Sequence, residues 1–254
     1  MKAEVKGSTL PVLELILEPG ESVVSTHGDL AWMSANMQLS QSTNTGGRGG
    51  GFMAGLKRVA SGTGIFLTRY EPSGGPGMLV LAAKLPGRIF SVEIAPGSEH
   101  IVHRHGWLCG TPGISPTVAL QQTFGGAIFG GEGFLLQRLE GQGTAWIELS
   151  GEISTYELAA GQSLCVHPGH VGAFQATVSF QTTRLPGIAN RMFGEDGHHV
   201  VVLTGPGTVW LQSMPLPILA HALSPYLGGD KHEGSSVAAG MGGGVLGGML
   251  GRKL

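Results

Sequence analysis

The side chains of this 254-residue chain best suited to chemistry are its ten histidines. His103-Arg104-His105 is an H-x-H pair, a spacing that puts two imidazoles on one face of a β-strand because successive strand residues point to opposite faces. Two neutral imidazoles so placed begin a transition-metal site of the kind used by metal-dependent β-roll enzymes. His27, His105 and His167 also stand just ahead of Gly28, Gly106 and Gly169. If their segments are related by a pseudo-threefold axis, the three rings converge on one ion with zinc-like ligation. Against this, no Asp or Glu stands at a spacing that completes a cupin-type ligand set, and His167 lies one residue out of register with the other two. The adjacent His198 and His199 point to opposite faces of a strand and do not ligate jointly. Histidines without a shared ion are therefore the favoured reading. His27, His103, His105 and His167 are kept as metal candidates, and no cofactor is expected.

Other reactive motifs are weaker. The run Gly46-Gly47-Arg48-Gly49-Gly50-Gly51 offers backbone amides to an anion but lacks the Gly-Lys-Ser/Thr ending of a phosphate-binding loop. No Gly-x-Ser-x-Gly elbow is present. Cys109 and Cys165 sit in or beside apolar stretches, where an inert thiol is the usual outcome, and two cysteines make no disulfide framework. No catalytic residue is assigned.

What positions these side chains is an internal repeat. Leu17-Glu-Pro-Gly20-Glu-Ser-Val23, Ile94-Ala-Pro-Gly97-Ser-Glu-His100 and Leu158-Ala-Ala-Gly161-Gln-Ser-Leu164 each read as a strand end, a tight glycine turn and a return strand. A second block recurs as Gly77-Met-Leu-Val-Leu-Ala82, Gly143-Thr-Ala-Trp-Ile-Glu148 and Gly207-Thr-Val-Trp-Leu-Gln212. The two blocks are 57 residues apart in the first copy (Gly20 to Gly77) and 46 in the others (Gly97 to Gly143, Gly161 to Gly207). The first copy's extra residues fall where the 46–51 loop leads into a short amphipathic helix, 52–60. Phe52, Leu56 and Val59 line one side of that helix and Lys57 and Arg58 the other. The apolar stripe is expected to cover an open sheet edge or to meet a partner.

Short stretches such as Ile65 to Tyr70, Ile89 to Ile94, Phe134 to Leu139 and Val200 to Leu203 are rich in β-branched and aromatic residues and bounded by Gly or Pro. The expected fold is all-β: a double-stranded β-helix or β-sandwich roll of three pseudo-repeats, about 10–93, 94–157 and 158–214. It forms one domain, 1–227, with Gly20, Gly97, Gly161, Gly205 and Gly207 as structural turn glycines. Residues 228–254, dense in glycine, read as a flexible tail, because such a sequence does not recover its backbone entropy. Val245, Leu246, Met249, Leu250 and Leu254 give that tail at most a weak membrane or partner contact.

Composition narrows the partners. Charged residues are 13% of the chain and the formal net charge is −2, so no basic field attracts nucleic acid or an anionic membrane. Neither a secretory or transit signal nor a transmembrane run of about eighteen apolar residues is found, and a cytoplasmic location is expected.

Leu17-Glu-Pro-Gly-Glu21, Gly55-Leu-Lys-Arg58, Gly130-Gly-Glu-Gly-Phe134, Gly141-Gln-Gly-Thr-Ala-Trp146 and above all Gly205-Pro-Gly-Thr-Val-Trp-Leu-Gln-Ser213 resemble the altered-inheritance-of-mitochondria protein 24 family, from about residue 10 to 214. The resemblance implies a double-stranded β-helix related to the ring-forming tryptophan RNA-binding attenuation protein. It also implies a family with bacterial members of unassigned function and mitochondrial members linked to inner-membrane organisation, with no known catalytic residues. Without a transit segment this chain resembles the bacterial members, and kinship of fold alone implies neither RNA nor tryptophan binding. The expected function is a non-catalytic scaffold or interaction protein, a homo-oligomer or the binder of an unidentified protein. The alternatives are a metal-dependent cupin-like enzyme using the histidines and a small-ligand binding protein.

Overall fold

Leu13, Leu15 and Leu17 alternate with half-buried Val12, Glu14 and Ile16, and this period of two makes 12–17 a strand with one face in the core. The same logic runs through the computed structural model, which describes residues 1–26, 29–42, 67–122, 134–184, 199–223 and 226. His27, the 46–51 loop, the 52–60 segment with Phe52, Leu56 and Val59, and the 228–254 tail lie outside the described residues.

Nineteen strands occur among the described residues. After β1 (Lys2–Lys6) they fall into three units of six. The first is β2 (Val12–Leu17), β3 (Val23–Thr26), β4 (Leu30–Met33), β5 (Met37–Ser42), β6 (Leu67–Pro72) and β7 (Gly77–Ala82). The second is β8 (Gly87–Ile94), β9 (His100–His103), β10 (Trp107–Gly110), β11 (Ile114–Gln122), β12 (Phe134–Gly141) and β13 (Gly143–Ser150). The third is β14 (Ile153–Leu158), β15 (Ser163–Val166), β16 (Val171–Gln175), β17 (Ser179–Arg184), β18 (His199–Thr204) and β19 (Gly207–Gln212). The second and third units start one strand earlier than the boundaries drawn at 94 and 158, because the strand before the glycine turn pairs with the last strand of its own unit.

Within every unit the first, sixth and third strands pair side by side, as do the fourth, fifth and second. Units then join by edge addition. The second strand of one unit pairs with the third strand of the next, β3 with β10 and β9 with β16. The resulting sheets run β1-β2-β7-β4, β5-β6-β3-β10-β13-β8, β11-β12-β9-β16-β19-β14 and β15-β18-β17, all antiparallel. A register shift recurs at one place in each third strand, between Leu30 and Trp32, Trp107 and Cys109, and Val171 and Ala173. A bulge repeated in register marks the units as copies.

The sixth strands are flanked on both sides and carry near-continuous apolar runs. Leu79, Val80, Leu81 and Ile147 are fully buried, and Trp146 nearly so. Turn glycines Gly20, Gly97 and Gly161 have φ of +88°, +82° and +79°, where a side chain is strained. Trp107, Val102, Ile147 and Ala173 belong to a cluster drawing on all three units.

The chain divides into the units Met1–Leu219 and Ala220–Leu254, and all the strands lie in the first. Of the second, only 220–223, which end helix α1 (Leu216–Leu223), and 226 are described. This helix was not expected from the sequence. Pro217 stands in its first turn, where proline's missing N–H costs nothing, and the Ile218 and Leu219 amides both donate to the Pro215 carbonyl.

Candidate functional site

A cavity of about 130 Å³ opens between the second and third units, walled by Lys84, His103, Arg104, His105, Glu148 and Gln212. It is smaller than the ~300–1,000 Å³ usual for small-molecule pockets and suits a group of a few heavy atoms or several waters.

One wall is a charge cluster assembled from three distant positions. Asp29 precedes β4, Lys84 lies in the β7–β8 turn and Glu148 is on β13. The Lys84 ammonium is 2.6 Å from Asp29 Oδ1 and 2.5 Å from Glu148 Oε1, and the Lys84 backbone amide donates to Glu148 Oε2 at 3.1 Å. Both carboxylate side chains are almost fully buried, whereas the lysine is 43% exposed. Asp29 Oδ2 also accepts from Thr26 Oγ1 at 2.6 Å and Ser25 Oγ at 3.3 Å. Burial, outweighing Lys84, holds the Glu148 carboxyl above the usual carboxylate range. Burial also pulls on the Lys84 ammonium, but Glu148 and Asp29 outweigh it and the net shift is upward. The two acids and one cation thus satisfy each other at the cavity wall, an arrangement that holds strand to turn.

Two histidines line the same cavity. His103 ends β9, and its ring is buried. Burial first, then His105 and Lys84, lowers its pKa to about 3, so it is neutral near pH 7. Its Nδ1 accepts from the His105 amide at 3.3 Å, and its Nε2 is buried without a hydrogen-bond partner. His105 is exposed in the turn before β10, where the Gly106 amide donates to the His103 carbonyl. The expectation that H-x-H sets both rings on one strand face is therefore corrected: the strand stops at His103, the chain turns, and the two ring centroids stand 6.5 Å apart, edge-on.

His167 repeats the His103 arrangement, its Nδ1 accepting from the Gly169 amide at 3.3 Å. The strand pairing equates Thr26, His103 and His167, each six residues after its turn glycine, Gly20, Gly97 or Gly161. The grouping of His105 with His167 ahead of a glycine is accordingly replaced by this register. The imidazoles at 103 and 167 cap the turn that follows the strand. Among the described residues, no three His, Cys, Asp or Glu side chains are gathered as a metal would require. Cys109 is buried, and burial, then Asp29 and Glu148, push its thiol well up; Cys165 is exposed. Gly205 precedes Pro206 through a cis peptide, and Gly207 has φ +141°.

Sequence reasoning missed Asp29, Lys84 and Glu148, which no spacing links. One local signal existed: Glu148 interrupts the otherwise apolar run Trp146-Ile147-Glu148-Leu149, and an acid is rarely buried unless paired.

Residues 3–214 match the mitochondrial biogenesis AIM24 family. The chain belongs to the AIM24 family. An uncharacterised protein of Streptococcus pyogenes serotype M6 is 28% identical over 220 residues, spanning 85% of this chain and 87% of that protein. A crystal structure of a Streptococcus pyogenes protein superposes with TM-score 0.70 at 23% identity, covering 89% of this chain and 99% of that one. That protein shares the fold of this chain. Among the described residues no helix is long and apolar enough to cross a membrane.

Proposed function

We propose that this AIM24-family chain is a non-catalytic association module, a scaffold that acts by binding further copies of itself or another protein. The observation that carries this reading is how its own units are joined. They add to one another edge to edge, β3 to β10 and β9 to β16, so the repeated element is itself a surface for strand addition. The polar groups that would serve catalysis are engaged structurally: Lys84 is held by Asp29 and Glu148, and His103 is neutral and caps a turn. The test is native mass measurement of the full chain, with co-purification from its own cell. An assembly larger than one chain supports the reading, and a monomer recovered without partners removes it.

A second reading is favoured by one observation. His103 Nε2 is buried beside the cavity that Lys84 and Glu148 also wall; because Nδ1 accepts from the His105 amide, the neutral ring carries its proton on Nε2 and offers a small ligand a donor there. NMR titration of His103 with small oxyanions and amides tests it. Shifts confined to the cavity walls support a ligand site.

A further inference from the structure

We infer that strand β4 of one copy pairs with strand β15 of a second copy, continuing between chains the edge addition that joins units within the chain. This rests on the association reading and specifies its surface and register.

Second and third strands of the units are built to meet. Wherever a following unit exists, they do: β3 is covered by β10 and β9 by β16, and the covered residues Val23, Val24, Ser25, His100, Ile101 and Val102 are all buried. Among the described residues no further unit stands after the third or before the first, and there β15 pairs only with β18 and β4 only with β7. The consequence is read in exposure. Ser163 and Cys165 on β15 are exposed, and Ala31 and Trp32 on β4 likewise, Trp32 at 51%. The strands equivalent to β4 in the other units, β10 and β16, are buried at every position up to Gln175.

The chemistry of the edges separates these two from most of the others. Among the described residues, four further edges carry blocking residues: Lys2, Glu4 and Lys6 on β1, Arg88 and Glu93 on β8, Pro116 on β11 and Glu157 on β14. The edge strand β5 (Met-Gln-Leu-Ser-Gln-Ser) carries none, but it is not the equivalent of a strand that joins units. Charges and proline on an edge strand discourage pairing with another chain. β4 (Leu-Ala-Trp-Met) and β15 (Ser-Leu-Cys-Val) carry neither charge nor proline. They are left open in the manner of strands that have a mate. Each is the other's mate by unit equivalence, and among the described residues of one chain they belong to separate sheets with no pairing between them.

The register follows from the two internal examples. Cys109 faces Ser25 and Gly110 faces Val24; Ala173 faces Val102 and Phe174 faces Ile101. Carried to the free edges, Trp32 faces Val166 and Met33 faces Cys165. A groove of about 390 Å³ runs beside β15, lined by Tyr156, Leu164, Cys165 and Val166. It lies on the edge where Trp32 of the incoming strand is seated. Aromatic anchors such as tryptophan dominate interface energetics when a pocket receives them. Because the two surfaces differ, the contact is heterologous and propagates head to tail until a ring closes.

The test is cysteine trapping in the full chain. Residues facing each other across an antiparallel pair have Cα atoms about 4.5–5.5 Å apart, within disulfide reach. Met33→Cys, oxidised in the presence of the native Cys165, is expected to give disulfide-linked dimers and higher multiples on non-reducing gels, abolished in Met33→Cys/Cys165→Ser. Trp32→Asp is expected to lower the native mass of the assembly at unchanged circular dichroism. A cross-link that runs at the mass of one chain overturns the second-copy assignment in favour of closure within a chain. An assembly that persists in Trp32→Asp with no Met33→Cys cross-link overturns the edge assignment and leaves the association reading standing. A wild-type monomer removes both.

Discussion

Glu148 is bound twice by one residue: Lys84 meets its Oε1 with the side-chain ammonium at 2.5 Å and its Oε2 with the backbone amide at 3.1 Å. A single turn residue thereby ties the β7–β8 connection to the middle of β13. Replacing Lys84 by methionine keeps the backbone contact and strands two buried carboxylates. Breaking a fully buried pair costs about 3–5 kcal/mol, and partial exposure of Lys84 discounts this to about 2 kcal/mol. Urea unfolding should show a lower midpoint for Lys84→Met at unchanged slope. Glu148→Gln should cost less, since the amide oxygen still accepts from the Lys84 amide. Equal midpoints for Lys84→Met and the wild type would refute the role of the cluster.

The buried His103 makes stability depend on pH with a definite sign. Its folded pKa of about 3 lies below the ordinary value of 6.5, so the unfolded chain takes up a proton first as pH falls. The contribution is whole above 6.5 and is lost as pH falls from there toward 3. By pH ~5 the loss is about 2 kcal/mol. His103→Asn, which retains an acceptor for the His105 amide, should flatten the stability curve between pH ~7 and ~5. Parallel curves for the two proteins would count against a buried neutral ring.

Two glycines should respond differently to alanine. Gly161 has φ +79° but open space around a would-be Cβ, so Gly161→Ala carries only the backbone penalty, about 1 kcal/mol. At Gly87 a Cβ would lie 2.0 Å from the Leu149 carbonyl oxygen, so Gly87→Ala must push β8 off β13. Thermal unfolding should rank Gly87→Ala well below Gly161→Ala.

Trp107 is 2% exposed and its indole N–H is buried without a hydrogen-bond partner. Trp107→Phe loses volume yet also removes a buried unsatisfied donor worth about 1–3 kcal/mol, so a net change within about 1 kcal/mol is expected. Trp107→Ala gains the same relief but empties the core, and should cost about 3–5 kcal/mol less that relief. A Phe variant as unstable as the Ala variant would show that the N–H is satisfied in solution.

Much of the fold was legible because its signals are local. Leu13, Leu15 and Leu17 announce a one-sided strand, the runs after Gly77, Gly143 and Gly207 announce buried ones, and Gly20, Gly97 and Gly161 mark turns that need positive φ. The histidines were legible as residues but not as a site. Whether His105 shares a strand face with His103 depends on where β9 ends, and a turn closed by Gly106 ends it between them.

What the amino-acid order determined unaided was the repeated unit: alternation and glycine placement act over a few residues, and they recur three times whatever lies around them. Only the tertiary structure decided that Asp29, Lys84 and Glu148 meet, that Thr26, His103 and His167 are the equivalent positions, and that β4 and β15 lie at sheet edges among the described residues. Those facts arise from hydrogen bonds between strands far apart in sequence. Every edge offers the same N–H and C=O groups, so the choice among them rests on which side chains are buried when two edges meet.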